Sequence, residues 1–355
     1  MASEIYYQLR ERIDQYSVGF AATESGIEIK ILEKLFTEEE AEMYLNLKLE
    51  LQSAEDIAKK INSDPKVVEE LLQRMTEKGH TFPRFPKKEN EPFYYAAAPY
   101  AHGILEHQLK RMNKEMADIL EEYAQEGSVT RGPIPLRTIP VNAAIDNTTR
   151  VAPYDDVKKI IARKDRIAVC DCVCSVWRQT RGENCDQPLE VCINFDFYAD
   201  YYVGRGMGRW ISKDEALEVL DKSEKAGLVA QLTNSEDPEA ICNCCPDCCG
   251  MLRGYKKLTE MGMAPATNYF SQVDSELCSG CETCIDRCPM DAITMGQEDI
   301  AEIDQISCIG CGLCITTCSD QAISLVQKPE DQIQVPPGGS DFMRPSVEFE
   351  NDLKQ

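Results

Sequence analysis

The sequence predicts an α+β chain of several domains: a helical N-terminal part, a central α/β module rich in cysteine, and a small cysteine-bearing domain near the C-terminus. Three observations carry that prediction. The chain has 355 residues, enough for two or three domains at roughly 150 residues each. Helical periodicity dominates its first third, whereas apolar strand-like runs alternate with helical ones between 154 and 266. All 18 cysteines lie at or after Cys170, so an ordinary first half precedes a cysteine-rich second half.

Residues 31–80 read as short helices. Ala54, Ile57, Ala58 and Ile61 keep a helical period. Ser63-Asp64-Pro65 then supplies a cap followed by proline at the first helical position. Val67, Val68, Leu71, Leu72 and Met75 continue as a second amphipathic helix that stops at Gly79. Two aromatic runs, Thr81–Phe85 and Phe93–Tyr95, flank a turn-like PKKENEP segment. Helix, turn, helix and hairpin in that order resemble a winged-helix domain over residues 1–100. Residues 101–126 read as one long helix, with Ile104, Leu109, Met112, Met116, Ile119 and Tyr123 on one face and Gly127 ending it. Its methionines read as core packing. Pro133, Pro135, Pro140 and Pro153 make 128–153 an extended connector, so 101–153 links two domains.

Residues 154–266 read as the central α/β module. A helix near Tyr154–Ala162 leads into the strand Arg166–Val169, which delivers the chain to Cys170. Ser212-Lys213-Asp214-Glu215 is a capping box; its helix ends at Gly227, and Leu228–Leu232 follows as a strand. A short strand at Ala240–Ile241 delivers the chain to Cys242. Asn194–Tyr202 reads as a buried helix or strand, and Trp210 as a packing residue. The stretch Gly204-Arg205-Gly206-Met207-Gly208-Arg209-Trp210 lacks a dinucleotide fingerprint and reads as a flexible loop over the metal site rather than a phosphate cradle. The last residues, 331–355, with Pro336-Pro337-Gly338-Gly339, read as a flexible tail.

The cysteine content has a physical meaning. The first twenty residues hold no apolar leader segment, so a cytoplasmic chain with reduced thiols is expected, and its cysteines read as metal-binding or redox-active rather than disulfide-bonded. No run of 18 apolar residues suggests a membrane span. His80, His102 and His107 are the only histidines, which leaves little for histidine-ligated zinc or haem. With 61 acidic and 38 basic residues the net charge is −23. Such a chain repels nucleic acid and attracts a basic partner surface.

One internal repeat dominates. Cys278, Cys281, Cys284 and Cys288 recur thirty residues on as Cys308, Cys311, Cys314 and Cys318, together with Asp274/Asp304, Gly280/Gly310 and Ala292-Ile293/Ala322-Ile323. This resembles the bacterial two-[4Fe–4S] ferredoxins over 270–327, within a domain spanning 267–330. The resemblance implies that Cys278, Cys281, Cys284 and Cys318 hold one cubane and Cys308, Cys311, Cys314 and Cys288 the other. Pro289 follows the first set as in that family, but Ser319 stands after Cys318. Eight zinc thiols are the competing reading, against which stands the preference of structural zinc sites for two separated cysteine pairs.

Ten further cysteines form two packets, Cys170, Cys172, Cys174, Cys185 and Cys192, then Cys242, Cys244, Cys245, Cys248 and Cys249. Thiolates at this density repel one another unless a cation neutralises them. An additional iron–sulfur cluster, a zinc site and a thiol–disulfide site are the three readings. The favoured metal ligands are Cys170, Cys172, Cys174, Cys185, Cys192, Cys242, Cys245 and Cys248, with Cys244 and Cys249 outside that set. The second half resembles larger iron–sulfur proteins of anaerobes, in which a cysteine-dense module precedes a ferredoxin module.

The expected function is single-electron transfer to or from a partner oxidoreductase with a basic surface, in an oxygen-poor cytoplasm. Two alternatives remain: a redox-sensing winged-helix regulator, and a reductase whose active site is the central module. Against DNA reading, Lys66, Arg74 and Lys78 share the second helix with Glu69, Glu70 and Glu77, which leaves mainly Lys87 and Lys88 for phosphate. A homodimer stays open.

Overall fold

A computed structural model describes residues 3–84, 92–126, 136–145, 151–183, 185–263 and 267–338. Three helices open the chain: α1 (Glu4–Asp14), α2 (Ile27–Leu35) and α3 (Glu38–Leu45). The last starts at a full capping box, in which the Thr37 hydroxyl accepts the Glu40 N–H and the Glu40 carboxylate accepts the Thr37 N–H. After β1 (Gln52–Ser53) come α4 (Ala54–Ile61) and α5 (Pro65–Lys78). The Asp64 carboxylate accepts the Lys66 N–H at 2.8 Å, and Gly79 closes the helix at φ +85°. β2 (Thr81–Arg84) and β3 (Tyr94–Ala97) pair antiparallel, and β1 joins on the other side of β3. Lys87 and Lys88, between them in sequence, lie outside the described residues.

The long helix expected over 101–126 is broken. Backbone turns occupy Tyr100–Ile104 and Glu106–Gln108, and α6 begins only at Lys114, running to Glu126. Polar side chains redirect this backbone. The Glu106 carboxylate accepts the Gly103 N–H at 2.8 Å, Gln108 donates to the carbonyls of Lys78 and Ile104, and His107 Nδ1 lies 2.8 Å from the Gly79 carbonyl. The apolar period survives the break, since Met112 and Met116 still pack in the core. Gly127 lies outside the described residues.

The connector expected over 128–153 holds a strand, β4 (Leu136–Thr138). Burial explains it: Arg137 pairs with Asp155 at 3.0 Å and donates to the carbonyls of Thr233 and Ser235, which pins the segment to the sheet. The chain continues through α7 (Val157–Arg163), β5 (Ile167–Asp171), α8 (Val173–Thr180), β6 (Glu190–Phe195), α9 (Asp196–Gly204), β7 (Gly208–Trp210), α10 (Lys213–Lys225), β8 (Val229–Thr233) and β9 (Ala240–Cys244). The strands form one antiparallel sheet in the order β4-β8-β9-β6-β5-β7. Side chains alternate between its faces. Ile167, Val169, Ile193, Phe195 and Ile241 point to one face and pack under α7 and α10. The glycine-rich stretch is in part an edge strand rather than a loop throughout: Gly204 ends α9, 205–207 turn, and Gly208–Trp210 is β7. Arg209 is engaged by Glu190 and Glu215, and Trp210 is 48% exposed instead of packed.

α11 (Gly250–Glu260) leads to the last unit, built from β10 (Tyr269–Val273), α12 (Thr283–Arg287), β11 (Ile293–Met295), β12 (Ala301–Ile303) and β13 (Ile323–Gln327). β10 pairs with β13 and β11 with β12. The repeat is visible in the hydrogen bonds: Asp274 N donates to Ala322 O, and Asp304 N donates to Ala292 O. Residues 331–338 of the expected tail are tied down, for Gln334 N donates to Asn268 Oδ1 and Glu236 N to Pro337 O.

One carboxylate joins α6, α8 and α11. Glu121 is buried and receives Arg178 at 3.1 Å, Arg181 at 3.2 Å and Arg253 at 2.5 Å. Burial alone would raise its pKa, but Arg253 and Arg178 hold it down, to about 2. A depressed carboxylate stabilises the fold above its unfolded value, and that contribution fades as pH falls toward 2. The substitution Glu121→Gln takes the carboxylate from half-buried Arg253, while Arg178 keeps Glu183 and Arg181 keeps Asp118 and Glu183. It is expected to lower unfolding free energy by about 1 kcal/mol and to flatten acid destabilisation between pH about 4.5 and about 2, as read by denaturant titration of oxygen-free protein.

Candidate metal centres

The face of the sheet opposite the apolar one carries thiols. In the β5–β6 register Cys170 faces Cys192, and Ile193 faces Ile241 in β6–β9, which sets Cys192 beside Cys242. Cys244 follows Cys242 on the same face of β9, and Cys172 leaves the end of β5 as the residue before α8. Cys174 lies in the first turn of α8, and Cys249 stands just before α11. Two helix starts therefore meet the strand ends.

These thiols are close neighbours: Cys172 lies beside Cys174 and Cys192, Cys242 beside Cys192 and Cys244, and Cys249 beside Cys174 and Cys244. Their mutual interaction holds Cys172, Cys242 and Cys249 well below the usual thiol value and, with burial, pushes Cys174, Cys192 and Cys244 well up. The N–H groups of Ser175 and Leu252, in the first turns of α8 and α11, add to the depression of Cys172 and Cys249. Cys170 completes the group through Cys192 and through Asn194, whose Nδ2 donates to its sulfur at 3.4 Å.

His102 also reaches this cage. It donates to Cys242, and Glu106 lies close by. Burial disfavours the imidazolium, but the Cys242 contact and the Glu106 charge outweigh it and raise His102 to about 9. Sequence reading set the histidines aside, because His102 lies far from the cysteine packets and reaches them only through the turn that interrupts the expected helix.

Cys185, Cys245 and Cys248 form a separate group. Their sulfurs all lie within 4.8 Å of one another, and Cys185 Sγ is 3.8 Å from Cys245 Sγ. The Cys248 thiol together with the N–H groups of Asp247 and Cys248 holds Cys245 down to about 6, although burial opposes this. Of the ligands favoured from sequence, Cys170, Cys172, Cys174, Cys192 and Cys242 thus share the cage, and Cys185, Cys245 and Cys248 stand apart. Cys244 and Cys249, outside the favoured set, are cage members. Their adjacency to Cys245 and Cys248 concealed this, since β9 ends at Cys244 and the turn sends each neighbouring pair in two directions.

In the C-terminal unit two cavities are lined by cysteines. One is bounded by Cys278, Cys281, Cys284 and Cys318, the other by Cys288, Cys308, Cys311 and Cys314. Each set offers four thiols with amide support: Ala292 N donates to Cys288 Sγ and Ala322 N to Cys318 Sγ, both at 3.3 Å. This donor chemistry fits a cubane, which takes one thiolate on each of four irons. The two sites differ in exposure. Cys281 is exposed, whereas Cys311 and Cys314 are buried, and burial raises Cys314 to about 12. The buried set shares one apolar cluster with Cys244 and Cys249 of the cage, through Leu252, Tyr255, Ile309 and Leu313.

Residues 271–326 match the family described as the 4Fe-4S dicluster domain. The C-terminal unit is therefore a ferredoxin-like iron–sulfur module, and the chain carries iron–sulfur and metal-binding sites. No curated protein and no solved structure matches the chain. No described helix is long and apolar enough to cross a membrane.

Gly310 supports the buried site by close approach. At φ +64° a Cβ there would lie 2.3 Å from the Tyr269 carbonyl oxygen. Gly310→Ala is expected to cost about four irons per chain. Gly182→Ala, also at positive φ but in open space, is expected to keep them. Iron and sulfide analysis of the two variants separates steric blockage from backbone strain.

Proposed function

We propose that this chain is an iron–sulfur electron-transfer protein working with a partner oxidoreductase. The observation that carries the reading is the gradient of exposure along the cysteine sets. Cys281 meets solvent, the buried set lies behind it, and the buried set shares apolar packing with the sheet-borne cage. Bound clusters would supply one-electron carriers, in the ligand sets Cys278, Cys281, Cys284, Cys318 and Cys308, Cys311, Cys314, Cys288. The protein supplies their order: the Cys281 loop faces the partner, and Leu252, Tyr255 and Leu313 keep water from the inner positions. The cage is proposed to hold a further iron–sulfur cluster. The net charge of −23 favours a basic docking surface.

The N-terminal part fits a docking module. Two helices and a three-stranded sheet in the order β1-β3-β2 are arranged as in a winged helix, which supports that resemblance. Two of the three basic side chains of α5 are engaged: Arg74 bonds Glu39 and Lys78 bonds Glu40. This argues against phosphate contacts and for protein contacts.

Two measurements test the reading. Electron transfer from the reduced chain to a small basic acceptor, cytochrome c, is expected to slow about tenfold as salt rises from about 10 mM to about 300 mM. A salt-independent rate would contradict the proposed docking. Cys281→Ser is expected to slow transfer at low salt and to change the electron paramagnetic resonance of the reduced chain. An unchanged rate would show that electrons leave elsewhere.

A further inference from the structure

The separation of Cys185, Cys245 and Cys248 from the cage has its own chemistry. Two thiolates on one tetrahedral ion with metal–sulfur bonds of about 2.3 Å lie about 3.8 Å apart, because the edge of a tetrahedron is about 1.63 times its centre-to-corner distance. The Cys185–Cys245 separation is 3.8 Å, and all three sulfurs fall within 4.8 Å of one another. Thiolates on different irons of a cubane point outward from separate corners and stand farther apart. Among the described residues no other group of three histidine, cysteine or acidic side chains meets the same distance condition, the ferredoxin-like cysteines included.

The local backbone suits a chelate. Cys245-Pro246-Asp247-Cys248 is a tight turn between β9 and α11, closed by the Cys249 N–H donating to the Cys245 carbonyl at 2.9 Å. Cys185 comes from the separate loop between α8 and β6, where Gln179 Nε2 donates to its carbonyl at 3.3 Å. Cys245 and Cys248 are buried and Cys185 is half-buried, so the group opens on the Cys185 side. Val191, Leu228 and Ala226 wall it, and Cys172, Cys174 and Cys192 of the cage pack in the same cluster.

We propose that Cys185, Cys245 and Cys248 bind a single zinc ion whose fourth position is open to a small ligand from solution, water or a thiol. Zinc suits three thiolates, and three protein ligands with one open position is the arrangement of reactive rather than structural zinc. The site is distinct from the cage and does not depend on the proposed electron transfer.

The test is metal analysis and zinc X-ray absorption on the full chain, purified without oxygen. About one zinc per chain is expected, with about three sulfurs at about 2.3 Å and one lighter neighbour. Added 2-mercaptoethanol should convert the shell to about four sulfurs. Cys185→Ser should lower zinc while leaving iron and sulfide unchanged. Absence of zinc, a four-sulfur shell before thiol addition, or an iron loss in Cys185→Ser would overturn the proposal. The wild-type spectrum decides the matter even where the variant fails to fold. Failure of electron transfer with zinc intact would strike only the functional reading above.

Discussion

The fold is organised around a crowding problem: many thiols share one buried face of an antiparallel sheet. Cys170, Cys192 and Cys242 are aligned across β5, β6 and β9, and Cys172, Cys174, Cys244 and Cys249 close the ring at the strand ends. Uncharged, these groups pack against one another without penalty. Ionised together, they would repel strongly in a site that excludes water. Metal binding is the chemistry that relieves this repulsion, since a cation takes the place of the protons. The remaining architecture holds the face together. The opposite side of the same strands buries Ile167, Val169, Ile193, Phe195 and Ile241, and the register that aligns this apolar face also aligns the sulfurs.

The second constraint is continuity. The ferredoxin-like unit docks through a short segment after β4, where Val141 N donates to Cys311 O at 2.9 Å. Arg137 and Asp155 anchor that segment from below, and Asp155 also contacts Asn268 and Tyr269 at the start of the C-terminal unit. One buried ion pair thus links the sheet carrying the cage to the module carrying the two cavities. On the far side, Glu121 gathers arginines from α8 and α11 and ties the cage helices to the N-terminal helices.

The C-terminal module was legible because its signal is spacing. A repeat of thirty residues places equivalent cysteines in equivalent loops, and Ala292 and Ala322 recur as the amide donors to Cys288 and Cys318. The helices with explicit caps were legible for the same reason: α5 starts behind Asp64 and ends at Gly79. Elements set by tertiary contacts were hidden. The break between Tyr100 and Lys114 depends on Glu106, His107 and Gln108 finding backbone partners, some nearly thirty residues away. β4 depends on Arg137 meeting Asp155 and the β8 carbonyls. The division of ten cysteines between a cage and a trio was hidden too. Neighbours in sequence, Cys244 and Cys245 or Cys248 and Cys249, part company where β9 gives way to a turn and the turn to α11.

The central claim is that the sheet-borne thiols form a metal centre in addition to the two ferredoxin-like sites. Iron and acid-labile sulfide per chain, measured on intact protein purified without oxygen, test it most directly. The account predicts about twelve or more irons with matching sulfide. About eight irons, with the cage thiols all free to react with an alkylating reagent after mild unfolding, would contradict it.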